Sequence, residues 1–367
     1  MNQAISFHGI IPANLLPFHT DFSIDEPEYR RHLSWLASAQ GVTAITCNGH
    51  AAEVSSLTRE ERQRALAIAG EEVGNRTRLV AGIFAEGTLE AATLAKDAKA
   101  GGAAAILVFP PTLFMWGAHL RPEMVFRHFA AIAEAVEIPM IVFQYPPAIG
   151  IGYSPETLAK LTEIPYVVGV KDWSNDIVAF ERNLRALRAT GRRVAMLSSY
   201  SASLLATFIL GADGTISGMG SVTADFQAAL FDAVQRGDLD NAKRINDHLR
   251  PLADAFYSPP VLDQHNRMKE ALVMLGRLKQ AVVRPPLQRV GDHERQRIRA
   301  ALVSSGLLSA RGLPCEDAIS TLENRDWPMA LRRPGGIDST PARTCPDKSE
   351  ETGGPLRPPF LRIPFVS

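Results

Sequence analysis

Short apolar runs recur along the first two-thirds of the chain, at residues 10–13, 43–47, 79–83, 105–109, 139–143, 167–171, 194–197 and 214–217. Between them lie longer stretches, such as 89–98, in which apolar residues return with helical spacing. The runs are nearly continuous instead of alternating with polar residues, as expected of parallel strands covered on both faces. Some helix starts carry their own signals. Thr58-Arg59-Glu60-Glu61 has capping-box spacing, and Ser154 precedes a proline suited to a first helical turn. Strand then helix, repeated eight times within about 220 residues, predicts an α/β fold of the (β/α)8 TIM-barrel type.

After the eighth run the pattern becomes wholly helical, with candidate segments at 226–234, 238–256, 261–278 and 293–302. This predicts a C-terminal helical appendage, interrupted by Arg284-Pro285-Pro286-Leu287, because paired prolines cannot sit inside a helix. Beyond Ala310 lie nine of the 25 prolines and two Gly-Gly pairs, with few apolar clusters. Such a segment cannot repay its ordering entropy and is expected to be disordered. The expected organisation is a barrel over 7–222, a helical region over 223–308 that includes the last barrel helix, and a disordered tail over 309–367.

Composition narrows the partners. At 367 residues and 46% hydrophobic content the chain can bury a large core, and 39 basic residues balance 39 acidic ones. No net field draws it to nucleic acid or to an acidic membrane. The first residues have no basic stretch leading into an apolar one, and no run of eighteen apolar residues occurs, so a soluble cytoplasmic protein is expected. Cys47 lies in a strand pattern while Cys315 and Cys345 lie in polar sequence, which leaves no disulfide framework and no CxxC metal motif. The histidines include no HxxxH pair and no carboxylate cluster has metal-ligand spacing, so no metal and no cofactor is expected.

The chemistry gathers at strand ends, where barrels of this kind place reacting groups. Lys171 ends the sixth run, Val167-Val168-Gly169-Val170, and is followed at once by Asp172. A lysine at a strand end is usually a solvated rim charge. In a desolvating barrel mouth, the same amine loses its proton more readily and becomes a nucleophile toward carbonyl groups. The second run leads into Asn48-Gly49-His50-Ala51-Ala52-Glu53, a glycine-containing turn able to offer N–H groups to a carboxylate. Glu53 reads as a buried structural acceptor in preference to a catalytic base. Ser217-Gly218-Met219-Gly220 closes the eighth run with small side chains and N–H groups. The third glycine of a dinucleotide fingerprint is missing there.

Pro17-Phe18, the Gly49 to Glu53 turn followed by Leu57-Thr58-Arg59-Glu60-Glu61, Gly169-Val170-Lys171-Asp172, and Arg284-Pro285-Pro286-Leu287 occur in one order over some three hundred residues. In these landmarks the chain resembles the dihydrodipicolinate synthase and N-acetylneuraminate lyase superfamily of Schiff-base aldolases, from about Phe7 to Leu308. The resemblance implies that Lys171 forms an imine with a 2-keto acid such as pyruvate. It implies that Gly49, His50 and Ala51 hold the acid's carboxylate, and that the protein is a homo-oligomer, a homotetramer in the family.

Departures from the family pattern are equally informative. Gly49-His50-Ala51-Ala52-Glu53 stands where the family usually has Gly-Thr-Thr-Gly-Glu, so two hydroxyl side chains are missing. The family's tyrosine falls on Phe143, which cannot relay a proton. Tyr145 lies two residues on; in a continuing strand it would share that face about 6.6 Å further along. That is about twice a hydrogen-bond length, so it would reach the distal part of a longer substrate. The family's arginine for a second carboxylate falls on Ala148. Phe109, Phe114, Met115 and Trp116 lend the mouth an aromatic side or pack beneath its loops. The expected activity is a lyase, aldolase or dehydratase, acting on a 2-keto acid with an apolar or sugar-like tail. Lys171 and Tyr145 are its catalytic candidates, with Gly49, His50, Ala51, Phe143, Ser217 and Gly218 around the substrate. Protons would move through His50, Tyr145, water or the substrate itself. The synthase proper ranks second, because of Phe143 and Ala148, and a non-catalytic keto-acid binder is the alternative of another class.

Overall fold

In the computed structural model, which describes residues 7–315, the eight apolar runs become eight parallel strands. They are β1 (Gly9–Pro12), β2 (Ala44–Cys47), β3 (Arg78–Ile83), β4 (Ala105–Val108), β5 (Met140–Gln144), β6 (Val167–Asp172), β7 (Ala195–Ser198) and β8 (Gly214–Ser217). The sheet order is β1-β8-β7-β6-β5-β4-β3-β2. Backbone bonds from Thr43 N to the Ile10 carbonyl and from Asn14 N to the Thr46 carbonyl, both 3.0 Å, bring β2 back against β1. The ring is therefore a closed barrel.

Its outer layer contains α1 (Glu26–Ser38), α2 (Arg59–Val73), α3 (Thr88–Ala100), α4 (Pro122–Val136), α5 (Pro155–Leu161), α6 (Ile177–Ala189), α7 (Leu204–Ile209) and α8 (Gly220–Gln235). The predicted starts hold. Thr58 and Glu61 form a reciprocal capping box, and the Ser154 hydroxyl accepts from Thr157 N with Pro155 in the first turn. Every residue of β1, β2, β4, β5, β7 and β8 is buried, which accounts for the continuous apolar runs.

The C-terminal region adds α9 (Leu239–Phe256), α10 (Gln264–Met274) and α11 (Asp292–Ser304). Residues 309–315, assigned from sequence to a disordered tail, instead turn back on the chain. Gly312 takes a φ of +79°, Ser309 N donates to the Leu313 carbonyl at 2.8 Å, and Cys315 N donates to that of Leu307 at 3.0 Å. The remainder of the tail assignment, 316–367, lies outside the described residues. Among the described residues no helix is long and apolar enough to cross a membrane.

Candidate active site

Strand alternation decides where the end of β6 points. Lys171 is in register with Phe143 on β5 and Leu197 on β7, and its side chain enters the barrel mouth. Asp172 turns the other way, accepting from Asn183 Nδ2 on α6 at 2.8 Å and from Ser174 N at 2.9 Å. The Lys171 side of the strand is dry. Lys171 is only 6% exposed, and its Nζ stands 4.0 Å from the centroid of the Phe143 ring. Among the described residues it makes no salt bridge. Burial therefore acts unopposed and pushes its pKa down to about 7.

An aromatic wall surrounds this amine. The Phe109 and Phe143 centroids are 5.0 Å apart, those of Phe84 and Phe109 5.7 Å, and those of Tyr145 and Trp173 5.6 Å. The His50 ring meets Phe109 edge-on at 4.8 Å. Three residues of the sequence reading, Phe114, Met115 and Trp116, are not part of this wall. Met115 and Trp116 are 53% and 84% exposed, and Phe114 packs on His128 with centroids 5.7 Å apart. They belong to the helical turn Thr112–Trp116.

Tyr145 departs from its expected position for a simple reason. Strand β5 ends at Gln144, so the residue is not carried a full strand step beyond Phe143. Its ring instead lies over Phe143, with centroids 4.4 Å apart, and its hydroxyl hydrogen-bonds His50 Nε2. Burial pushes the Tyr145 phenol up, and burial followed by repulsion from Lys171 pushes the His50 imidazole down to about 3. At neutral pH the pair is a neutral imidazole against a protonated phenol.

The Gly49 turn is built as a short helical turn, His50–Ala52, closed by Glu53 in the left-handed region at φ 54°. The N–H groups of Ala52 and Glu53 bond back to the Gly49 and His50 carbonyls. Those of His50 and Ala51 meet no acceptor among the described residues, leaving two donors for an anion. Glu53 is consumed structurally. Its Oε1 is 2.5 Å from Lys269 Nζ on α10, and its Oε2 accepts from Arg284 N at 2.8 Å. Lys269 also donates to the Val282 carbonyl at 2.8 Å and lies 4.4 Å above the Phe18 ring. The Arg284 guanidinium ties Glu61, Ser56 and Phe22 together. The Arg-Pro-Pro-Leu landmark is thus the clamp on the Gly49 turn.

On the far side of the mouth, the Ser217 hydroxyl is fully occupied. It pairs with Ser201 Oγ at 2.8 Å and accepts from Gly220 N at 3.2 Å and Gln227 Nε2 at 3.1 Å. Gly218 is covered by His265 of α10, which a Cβ at that position would meet first. Sequence reasoning did not find His265 or Lys269. Gln264-His265-Asn266-Arg267-Met268-Lys269-Glu270 reads as a solvated helix, and only the fold turns it over the barrel.

A model of the dihydrodipicolinate synthetase family matches residues 6–305. The 4-hydroxy-tetrahydrodipicolinate synthase of Rhodopseudomonas palustris is 32% identical over 306 residues, covering 83% of this chain and 98% of that protein. The synthase of Gluconobacter oxydans is 33% identical over 310 residues, 84% of this chain and 100% of that one. Among solved structures, the chloride-inhibited dihydrodipicolinate synthase of Acinetobacter baumannii complexed with pyruvate superposes with a TM-score of 0.73 at 28% identity, covering 82% of this chain and 99% of that chain. YagE, a prophage protein of E. coli K12 in complex with pyruvate, gives 0.76 at 25% identity, with 82% and 99% covered. The chain belongs to the dihydrodipicolinate synthetase family.

Proposed function

We propose that this protein is a cofactor-independent lyase that binds a 2-keto acid as an imine on Lys171. The carrying observation is the buried amine at the end of β6, lowered to about 7 with no carboxylate paired to it among the described residues. An ordinary lysine near 10.4 is neutral about once in 2,500 at pH 7, whereas one lowered to about 7 carries a substantial neutral fraction there. The free amine attacks the ketone carbon, and the carbinolamine loses water. In aldol cleavage the resulting iminium takes up the electron pair of the C3–C4 bond while the 4-hydroxyl proton goes to a base; in dehydration it takes up the pair of a C3–H bond, whose proton goes to a base, and the enamine then expels hydroxide from C4 as water. The free N–H groups of His50 and Ala51 suit the substrate carboxylate, with Gly49 setting their turn. Tyr145 and His50 are the proton-handling pair in place of the hydroxyl missing at Phe143.

Incubation with pyruvate and borohydride followed by peptide mass measurement tests this reading. The expected result is a reduced adduct on the peptide bearing Lys171, formed equally well by Tyr145→Phe, which turns substrate over poorly. No adduct with pyruvate or with any longer 2-keto acid sinks the reading. An adduct without turnover of any keto acid would mark a binding protein.

The synthase reaction proper is a second reading, favoured by the names of the relatives. Against it, Ala148 sits exposed in the turn Pro147–Ile149 and offers no cation for a second carboxylate. The same reading includes self-association. Leu113, Met115, Trp116, Leu120 and Ile149 are exposed apolar side chains on adjoining loops, a patch suited to a second copy. A monomeric mass by light scattering would overturn that part.

A further inference from the structure

Gly218 directly follows β8, and a Cβ placed there would stand 3.0 Å from His265 Nε2 and 3.1 Å from its Cδ2. Glycine is what lets the imidazole lie against the strand end. The ring is held there by its neighbours on α10, which leave the helix little room to shift. Asn266 donates to Asp263 Oδ1 at 2.6 Å and to the Gln288 carbonyl at 3.0 Å. Arg267 donates to the Phe256 and Ser258 carbonyls at 3.0 and 2.6 Å, and Lys269 is anchored on Glu53.

His265 differs from those neighbours in one respect. It is partly exposed and hydrogen-bonds none of the described residues. Beside it are Gly218 and the Met268 thioether, neither of which offers a strong side-chain partner. Burial first, then the positive charges of His50, Lys171 and Lys269 when protonated, hold its pKa well below the usual histidine range. Its ring therefore offers one N–H donor and one bare nitrogen acceptor. It also lies opposite the aromatic wall. The wall rises from the ends of β3, β4, β5 and β6, and β8 stands four places from β4 around the ring.

We propose that His265 determines specificity by hydrogen-bonding a hydroxyl on the tail of the 2-keto acid, so that hydroxylated keto acids are preferred over alkyl ones. The inference rests on the imine reading above and narrows it to the sugar-like branch. A hydroxyl both donates and accepts, which matches a neutral imidazole. A carboxylate would call for a cation, and Ala148 supplies none. The aromatic wall then takes the apolar face of the substrate's carbon chain.

The test compares 4-hydroxy-2-oxopentanoate with 2-oxopentanoate, reading for each the concentration that half-saturates borohydride trapping on Lys171. The wild-type protein should favour the hydroxylated acid by about tenfold, the effect of one good hydrogen bond. His265→Ala should bring the ratio to near one, and His265→Gln, which keeps a donor and an acceptor, should restore part of it. Gly218→Ala should lower the ratio by displacing the ring. A wild-type ratio near one, or a ratio that survives in His265→Ala, overturns the proposal while leaving the imine intact. Failure of the wild type to trap either acid or pyruvate defeats the imine reading itself.

Discussion

Lys171→Met should lower turnover by about 10⁴-fold or more while making the protein more stable at pH 6. The first effect follows from the proposed imine on Lys171, because a methionine thioether cannot condense with a ketone. The second follows from linkage. Lys171 titrates near its ordinary value of 10.5 in the unfolded chain and at about 7 in the folded one. Below pH 7 both states carry the proton, and the folded state bears the full desolvation cost, a few kcal/mol. Between pH 7 and 10.5 the unfolded chain keeps a proton that the folded chain has released, so stability rises with pH across that window. The advantage of the methionine variant should therefore be largest at pH 6 and shrink toward pH 10 in urea titrations. A variant that unfolds, or whose advantage does not change with pH, contradicts the buried neutral amine.

Glu53→Gln should cost about 3–5 kcal/mol of stability, more than any other single change in the clamp. The carboxylate faces a Lys269 ammonium that is fully buried, and removing one partner strands the other charge. The Lys269 pKa is already lowered by burial, with Glu53 opposing that shift, so the variant would also release the lysine's proton at lower pH. Lys269→Met combined with Glu53→Gln should recover much of the loss, because an apolar chain suits the site above the Phe18 ring. Urea midpoints of the two single variants and the double variant form the cycle. Additive losses would mean that the two side chains act independently.

The barrel was legible because its strands are buried on both faces. Each apolar run lies within one residue of the corresponding strand limits. Lys171 was legible for a related reason, since the abrupt change from Val170 to Lys171-Asp172 marks the carboxyl end of a strand. What remained hidden depends on contacts between distant segments. Nothing in the periodicity of α10 distinguishes a helix with solvated charges from one whose Lys269 and His265 turn inward. Tyr145 was placed by assuming an unbroken strand, and the end of β5 at Gln144 brings its ring back over Phe143. Met115 and Trp116 were grouped with Phe109 by proximity in sequence, but the turn Thr112–Trp116 separates them.

The tie between Glu53 and Lys269 spans 216 residues of sequence, and that between Glu53 and Arg284 spans 231. During synthesis on the ribosome all eight strands and the lysine emerge well before these two anchors do. A nascent barrel thus holds Lys171 while the Gly49 turn is still unpinned. The Gly49 turn is fixed late in translation, once α10 and the Arg284 segment dock on Glu53.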